Sequence, residues 1–361
     1  MKLLVSSSTT FDHGYESADS EWAQNFFIAD QVVVAVGYVT HDSLVYLSRL
    51  VELNPDKSFI LCIGLARIEG LTKNQKEACA RLDHVLRNGD RGGVFVAYQV
   101  PFHAKATVFS KDGIPTQAIV GSSNLGALTP PKSQFEPRHM EIDVALSEPD
   151  VVNQLAELIN DLVAKYSVEY SRASPSLRTV AEQGHILLEG SDVEQVSVAE
   201  TRSVYVAASS AATFHIPLKP TEKSNLNVFF GEGRKNPQGY VRPRNWYEVE
   251  LIVPKSVTSQ SDYPRGDFLA LTDDGYLFTC KTSGDYHKNF RSRSDLTVLG
   301  RWLKGRMEAS GALAVGDPVT GQTLADYGRA SLELKQTGLV RDFDGESLPL
   351  WILDFSQPGA S

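Results

Sequence analysis

Side chains that can act on a phosphate ester occur in two short motifs of the chain. His103 and Lys105 are separated by one residue, and Ser122 and Asn124 follow a glycine further along. A histidine can attack phosphorus as a nucleophile, while an ammonium group, an amide and a hydroxyl can stabilise the charge on the phosphoryl oxygens. The two motifs predict a phosphodiester-cleaving site that uses no metal ion and no cofactor.

A carboxylate that orients the nucleophilic imidazole would complete this site. Glu141 opens a strand-like apolar run and is the candidate we favour, whereas Glu136 lies in a proline-rich segment and is the alternative. Ser122 has two interpretations, a turn residue or a phosphate ligand. The set does not include a donor for the proton that the leaving oxygen needs.

The elements around the motifs are typical of an α/β domain. Strand-like apolar runs alternate with segments of helical period from Val32 to Val100. Three further strands are predicted to carry the motifs: His103 to Phe109, Gln117 to Val120 and Glu141 to Leu146. Because residues i and i+2 share one face of a strand, we expect His103 and Lys105 to lie side by side, with Ala104 facing the core.

A polar segment with weak periodicity divides the chain. We predict a catalytic domain over residues 1–175, a linker over 176–200 and a second domain over 201–361. Short strands with turn signals dominate the second domain, which favours a β-barrel or sandwich. One helix is predicted there, from Leu296 to Met307.

Charge is distributed unevenly between the two halves. Residues 1–197 hold 16 Lys and Arg against 25 Asp and Glu, while residues 198–361 hold 19 of each. Within the second half, residues 281–306 hold seven basic residues and two aspartates. A basic strip of this kind suits a phosphate backbone. The alternative is that its last cations are only the solvated side of the predicted helix.

Other features exclude several classes of protein. The longest apolar runs are far shorter than the roughly 20 residues of a membrane span, and residues 1–8 lack the apolar stretch of a signal peptide. The three cysteines show no C-x-x-C spacing, so we expect them to be reduced. We therefore expect a cytoplasmic protein that does not bind a membrane.

The motifs resemble those of the phospholipase D superfamily, whose mark is H-x-K, then G-S-x-N, then a glutamate. His103-Ala104-Lys105, Gly121-Ser122-Ser123-Asn124 and Glu141 match this order, although Ser110 replaces the family's usual aspartate. The chain has one H-x-K. In this family a single copy implies a homodimer that shares one site, a phosphohistidine intermediate, and His103 of a second subunit as the proton donor.

The second half is similar to the B3-like DNA-binding domain of NgoFVII-type restriction endonucleases, in the stretches that begin at Phe214 and Gly284. This resemblance implies an α/β phospholipase D-like nuclease domain followed by an all-β B3-like pseudobarrel. Two arms of the pseudobarrel would read double-stranded DNA, the first within Ser224 to Arg244 and the second within Lys281 to Arg293. The chain has no Walker-type ATP motif, so an ATP-dependent step would need a separate helicase-like subunit.

The arms contain the residue types that bind phosphates and read base edges, Arg or Lys for guanine and Asn or Gln for adenine. The candidate DNA contacts of the first arm are Asn225, Asn227, Arg234, Lys235, Asn236, Arg242 and Arg244. Those of the second arm are Lys281, Ser283, Tyr286, His287, Lys288, Asn289, Arg291 and Arg293.

The leading hypothesis is a sequence-specific, metal-independent DNA endonuclease. One alternative is a phospholipase D-type phosphatidyl hydrolase or transferase that uses the same side chains. Another is a DNA-binding regulator whose first domain serves only for dimerisation. The acidic first domain argues against the lipid enzyme, and the intact His103, Lys105 and Asn124 argue against the regulator.

Overall fold

The computed structural model describes residues 1–7, 15–128, 140–180, 193–208, 211–222, 224–235 and 239–357. The chain divides into two compact units. The first unit comprises Met1–Gly184 with Glu232–Pro243, and the second comprises His185–Gly231 with Arg244–Ser361. The domain boundaries at residues 175 and 200 stay predictions. No helix among the described residues is both long and apolar enough to cross a bilayer.

The first unit is built on a mixed eight-stranded sheet with the order β1-β8-β7-β6-β2-β3-β5-β9. Strand β2 is parallel to β3, and β3 to β5, while the other neighbours are antiparallel. The strands of this unit up to residue 180 are β1 (Lys2–Ser6), β2 (Gln31–Val36), β3 (Ser58–Ile63), β4 (Leu71–Thr72), β5 (Gly92–Ala97), β6 (Lys105–Lys111), β7 (Ile114–Gly121), β8 (Glu141–Leu146), β9 (Ser167–Glu169) and β10 (Thr179–Val180).

Seven helices accompany this sheet: α1 (Ala18–Ile28), α2 (His41–Leu53), α3 (Ala66–Glu69), α4 (Lys73–Asn88), α5 (Leu125–Leu128), α6 (Pro149–Tyr166) and α7 (Tyr170–Ala173). Thr40 and Thr72 begin α2 and α4 with capping boxes. The apolar face of α6, with Val152, Ala156 and Ile159, packs on β2, β6 and β7. The apolar run of β2, from Val32 to Val36, is buried on both faces, which is typical of a central strand covered by helices.

The ends of the central strands position the motifs at one edge of the sheet. Val36, at the end of β2, pairs with Lys105 at the start of β6. Beyond them, Ala106 pairs with Val120, and Gly121 pairs with Asp143 near the start of β8. The chain therefore brings the H-x-K and G-S-x-N motifs and the head of β8 to the same edge.

The second unit contains a sheet of order β12-β19-β20-β16-β17-β18-β15, with β11 paired to β17. The strands after residue 192 are β11 (Val193–Gln195), β12 (Thr213–Pro217), β13 (Arg234–Lys235), β14 (Val241–Arg242), β15 (Leu251–Ile252), β16 (Gly266–Thr272), β17 (Tyr276–Ser283), β18 (Asn289–Ser292), β19 (Ser331–Phe343) and β20 (Glu346–Asp354). The helices are α8 (Val198–Ala207), α9 (Lys255–Thr258), α10 (Val298–Ala309) and α11 (Gly321–Tyr327). Helix α8 packs its Val204 on an apolar cluster from β16, β17 and β20.

Strands β13 and β14 form a hairpin that belongs to the first unit. The Tyr240 ring lies between those of Phe26 and Phe27, with centroids at 5.5 and 6.2 Å. The amide of Asn54, at the end of α2, donates a 2.9 Å hydrogen bond to the Val241 carbonyl. The base of the hairpin is thus anchored on α1 and α2.

Candidate active site and nucleic-acid contacts

His103 and Lys105 lie together, but not as neighbours on one strand. Strand β6 begins at Lys105, so His103 stands in the segment before it, and Ala104 is exposed rather than in the core. The buried Lys105 ammonium lies 2.8 Å from Nε2 and 3.1 Å from Nδ1 of His103, and donates to the His103 carbonyl at 2.9 Å. The prediction that His103 and Lys105 lie close together is confirmed. The predictions that the strand begins at His103 and that Ala104 faces the core are wrong.

Two glycines allow the segment before β6 to approach the sheet. A Cβ on Gly37, just after β2, would lie 2.9 Å from Cδ2 of His103. A Cβ on Gly64, just after β3, would lie 2.1 Å from the Phe102 carbonyl oxygen. Any larger residue at these positions would push His103 out of place, which is a physical reason for glycine there.

Tyr38 links the two motifs, and the sequence analysis did not identify it. Its ring meets the His103 ring edge to face, with centroids 5.4 Å apart. Its backbone N–H donates to Oδ1 of Asn124 at 3.2 Å. Because the amide oxygen of Asn124 is engaged in this way, the group that Asn124 can offer to an anion is its NH2. The only sequence signal for Tyr38 was its position directly after the β2 glycine.

The G-S-x-N turn is fixed to the head of β8. The Ser122 hydroxyl donates to the Glu141 carboxylate, and Ile142 N–H donates to Ser122 Oγ at 3.0 Å. Among the described residues, the hydrogen-bond partner of the Glu141 side chain is therefore Ser122 rather than His103. The expected role of Glu141 in orienting the imidazole has no such contact behind it, and Glu136 lies outside the described residues.

A second carboxylate, Asp143, holds the same turn from inside. It accepts from the Ser123 hydroxyl at 2.6 Å and from the Ser123 N–H at 3.0 Å, and both side chains are buried. A Cβ on Gly121 would lie 2.3 Å from the Asp143 carboxylate. Sequence reasoning missed Asp143, although an acidic residue at an inward position of an alternating strand was an available signal.

Burial sets the electrostatics of the site. It lowers the pKa of Lys105 from its ordinary value, and the negative charge of Glu141 opposes this by raising it. An ammonium so placed gains more from an added anion than an exposed one, because the low local dielectric strengthens the attraction. No cluster of three metal-ligating side chains occurs in the described parts of the chain.

The second predicted arm lies in the second unit, around the connection of β17 to β18. Its tip carries Tyr286, which is 67% exposed, and an ion pair joins Lys288 to Asp285 at 3.6 Å. Ser283 and Asn289 pair with each other as the last residue of β17 and the first of β18. Cations at the base of the arm have carboxylate partners: Lys281 and Arg293 with Asp267, Arg293 also with Glu346, and Arg291 with Glu250.

The first predicted arm is divided between the two units. Arg234, Lys235 and Arg242 belong to the hairpin of the first unit, and Asn236 lies outside the described residues. Arg234 and Lys235 are exposed, whereas the half-buried Arg242 donates to the Tyr46 hydroxyl at 3.5 Å. Arg242 is thus engaged at the anchored base of the hairpin.

The remaining candidates of the first arm lie in the second unit. Asn227 is fully buried and holds the backbone of Val319 with bonds of 2.8 and 2.9 Å, so it is not accessible to a nucleic acid. Its burial removes Asn227 from the predicted DNA contacts. Arg244 forms two hydrogen bonds with Glu248, and the Asn225 amide donates to Glu250 at 3.5 Å.

The last cations of the basic strip are inside the unit. Lys304, on α10, is fully buried, donates to the Trp246 carbonyl, and lies 4.5 Å from the Trp246 ring centroid. Arg306 pairs with Asp273 at 2.5 Å. The sequence left two alternatives for these cations, a contact with DNA or a place on the solvated side of the helix. Lys304 fits neither, because it is buried. The predicted helix itself is present, displaced by two residues at each end.

The fold and the site define the class of this protein: a phospholipase D-like α/β domain combined with a strand-rich B3-like domain. Residues 19–169 match the family model of the NgoFVII restriction endonuclease N-terminal PLD domain, and residues 204–338 match that of the NgoFVII C-terminal B3-like DNA-binding domain. The chain belongs to the NgoFVII restriction endonuclease family. This membership confirms the resemblance and the predicted fold class, and the family that the chain belongs to is one of restriction endonucleases.

The two solved structures described next show a more distant likeness. No curated protein matches the chain. Phosphatidylserine synthase of Haemophilus influenzae Rd KW20 is 12% identical over 47% of this chain and 40% of its own, with a TM-score of 0.35. Polyphosphate kinase from Porphyromonas gingivalis is 10% identical over 96% of this chain and 49% of its own, with a TM-score of 0.28. The chain spans less than half the length of either structure, and neither likeness bears on its function.

Proposed function

We propose that the chain is a sequence-specific, metal-independent restriction endonuclease that hydrolyses DNA phosphodiesters through a covalent phosphohistidine. The observation that carries this proposal is the Lys105 ammonium 2.8 Å from His103 Nε2, at a sheet edge shared with the G-S-x-N turn. Membership of a restriction endonuclease family makes DNA the substrate, and the B3-like domain supports sequence-specific binding.

The first chemical step begins at His103. In the free protein the ammonium of Lys105 lies against the imidazole, and we propose that it transfers to a phosphoryl oxygen when DNA binds. The freed imidazole nitrogen then uses its lone pair to form a bond with phosphorus, and the bond from phosphorus to the 3′-oxygen breaks. A general acid must protonate that oxygen as it leaves.

A second identical subunit would supply the proton donor that a single subunit lacks. The side chains that contact the His103 ring through a hydrogen bond or an aromatic pair are Lys105 and Tyr38, and neither of them is an imidazole. We therefore propose a homodimer through the N-terminal domain, in which His103 of the partner subunit gives its proton to the leaving 3′-oxygen. Water then attacks phosphorus, its proton goes to that second imidazole, and the bond from phosphorus to nitrogen breaks, leaving a 5′-phosphate.

The remaining side chains bind and position the phosphate. Lys105 and the NH2 of Asn124 would contact the non-bridging oxygens, which carry more charge in the transition state than in the substrate. Ser122, held by Glu141, acts first on the turn and through it on Asn124. A preorganised set of this kind loses little free energy to reorganisation during the reaction.

The proposed partners follow from the proposed function. They are double-stranded DNA, a second copy of the chain and, where the restriction system uses ATP, a separate helicase-like subunit. Incoming DNA is met inside the cell, so we propose a cytoplasmic location. The predicted arms, apart from Asn227, stay the proposed DNA contacts.

The test is cleavage of a plasmid or genomic DNA by the purified full chain in excess EDTA. We expect discrete fragments, unchanged activity relative to added Mg²⁺, and complete loss in His103→Ala. Lys165→Ala, an exposed cation paired with Asp161, is the matched control and should cleave normally. Dependence on Mg²⁺ would refute the metal-independent chemistry, and full activity of His103→Ala would refute the site.

The two alternatives predict other results in the same assay. A phosphatidyl hydrolase would act on phospholipid vesicles and leave DNA intact. A regulator would bind DNA without cutting it, and His103→Ala would bind as well as the natural chain. A denaturing quench at neutral to alkaline pH should leave radiolabelled DNA attached to the protein, because the bond from phosphorus to nitrogen in phosphohistidine is labile in acid but stable in base. Loss of this label in His103→Ala would distinguish the covalent route from direct attack by water.

A further inference from the structure

The tip of the second arm has an unusual backbone. Tyr286 and His287 have φ angles of 59° and 54°, so two consecutive residues with side chains occupy the left-handed region. Gly284, with a φ of 71°, begins the same turn. Residues other than glycine are uncommon in this region, and such strain tends to collect where proteins bind ligands.

Two polar atoms of the tip lack partners. Nδ1 of His287 and Oδ1 of Asn289 are buried and accept or donate no hydrogen bond in the described part of the chain. Buried polar groups are almost always paired in folded proteins. The backbone strain and these two atoms together make the tip a candidate surface for contact with a ligand.

Lys255 lies beside this tip and was absent from the predicted DNA contacts. It opens α9, its side chain is exposed, and its ammonium lies 4.4 Å from the centroid of the Tyr286 ring. Among the described residues, no carboxylate lies within ion-pair distance of this ammonium. It therefore differs from Lys281, Lys288 and Arg291, whose charges have carboxylate partners in the same unit.

We propose that Lys255 is a further DNA-binding residue, which contacts a backbone phosphate next to the second arm and is positioned for this by the Tyr286 ring. The ring face attracts the ammonium without neutralising it, so the charge stays available to an anion. A phosphate fits better than a carboxylate partner, because DNA is the substrate of the proposed function and its phosphates release counterions on binding. The inference rests on that function and adds a contact to it.

The experiment measures binding of a fluorescent duplex of mixed sequence by anisotropy, with the full chain, from 50 to 200 mM salt. Each phosphate contact adds about 0.9 to the slope of log K against log salt. For Lys255→Gln we expect that slope to fall by about 1, so that the loss of affinity is about fourfold greater at 50 mM than at 200 mM salt. Lys255→Arg keeps the charge and should keep the slope.

Arg202→Gln is the matched control, since Arg202 is an exposed cation on α8 of the same unit. It should leave the slope unchanged. Tyr286→Leu removes the ring that positions the Lys255 ammonium but leaves its charge. Affinity should therefore fall by less than in Lys255→Gln, and the slope of log K against log salt should stay the same. The double variant should lose less affinity than the sum of the two single losses, because part of the effect of Tyr286 passes through Lys255.

The outcomes separate this inference from the proposed function. A Lys255→Gln slope equal to that of the natural chain, or equal effects of Lys255→Gln and Arg202→Gln, would overturn the inference. Fully additive losses in the double variant would overturn the pairing with Tyr286. If the natural chain shows the expected slopes but cuts no DNA, the phosphate contact stands and the proposed nuclease fails.

Discussion

Ser123 and Asp143 are joined by two hydrogen bonds, one from the serine hydroxyl at 2.6 Å and one from its backbone N–H at 3.0 Å. Both side chains are buried. The bonds tie the turn after β7 to β8, and this turn carries Asn124 towards Tyr38 and His103. The position of Asn124, which we propose to bind the phosphate, therefore depends on a carboxylate inside the sheet.

Replacement of Asp143 should damage both the fold and the reaction. Asp143→Ala leaves the buried Ser123 donors without an acceptor, which costs about 1–3 kcal/mol per unpaired group. We expect a lower free energy of unfolding and slower single-turnover cleavage, because Asn124 is no longer fixed. Denaturant unfolding and quenched-flow cleavage of saturating DNA measure the two effects.

The control is Asp143→Asn, which keeps one acceptor oxygen and nearly the same volume. It should retain most of the stability and more of the cleavage rate than Asp143→Ala. If both variants cut DNA at the natural rate, Asp143 has no part in positioning Asn124.

Replacement of Glu141 should change the pH at which the cleavage rate falls on the alkaline side of the pH profile, which we call the alkaline limb. Burial lowers the pKa of Lys105 and the charge of Glu141 raises it, so Glu141→Gln removes the opposing effect and lowers that pKa further. If activity requires the protonated ammonium, the loss of rate at high pH should begin at a lower pH in Glu141→Gln. The measurement is kcat/KM on a defined duplex over a pH series.

Ser122→Ala provides the comparison for this effect. It removes the hydrogen bond to Glu141 but leaves the carboxylate charge, so its alkaline limb should coincide with that of the natural chain. If the alkaline limb shifts equally in Glu141→Gln and Ser122→Ala, the geometry of the turn, rather than the charge of Glu141, determines the pH at which activity is lost.

Much of the fold could be predicted because local patterns match the tertiary structure. The apolar run of β2 is buried on both faces, and the segments of helical period between Val32 and Val100 became α2 and α4. The hairpin of β13 and β14 could not be assigned to the first unit in this way. Its placement depends on Tyr240 entering between Phe26 and Phe27, a contact between residues distant in sequence.

Some residues of the site could be predicted from the sequence, and others could not. Residue types identified His103, Lys105 and Asn124, because few side chains can perform that chemistry. Tyr38 was missed because it contributes a backbone N–H and a ring edge, which no motif records. Asn227, in contrast, was predicted as a DNA contact because it lies within the first arm that the resemblance implies and an asparagine can read adenine. Its burial depends on the distant backbone of Val319, which no local pattern records.

The stability of the second unit should depend on pH through Lys304. Burial lowers the pKa of Lys304 to about 7, and Glu308 opposes this. The unfolded chain has a lysine pKa of about 10.4, so between these values it binds more protons than the folded chain. The free energy of unfolding should therefore rise from about pH 7 towards pH 10, by at most about 1.4 kcal/mol per pH unit, and the full penalty is present below pH 7.

Lys304→Met tests this effect, because it removes the ionisable group and keeps a long side chain. Its unfolding free energy should exceed that of the natural chain at pH 6 and change less between pH 7 and 10. Tryptophan fluorescence follows the transition, since Trp246, Trp302 and Trp351 all lie in the second unit. Lys219→Met, at an exposed position, is the control, and an unchanged slope in Lys304→Met would contradict the prediction.

The proposed homodimer makes a quantitative prediction about mixed subunits. If one reaction needs His103 from both subunits, a dimer with one His103→Ala subunit is inactive, because it lacks either the nucleophile or the proton donor. When the natural chain and His103→Ala are unfolded together and refolded in different ratios, activity should follow the square of the natural fraction. A linear dependence would mean that each subunit cuts alone, and the proton for the leaving oxygen would then have to come from another group of the same chain.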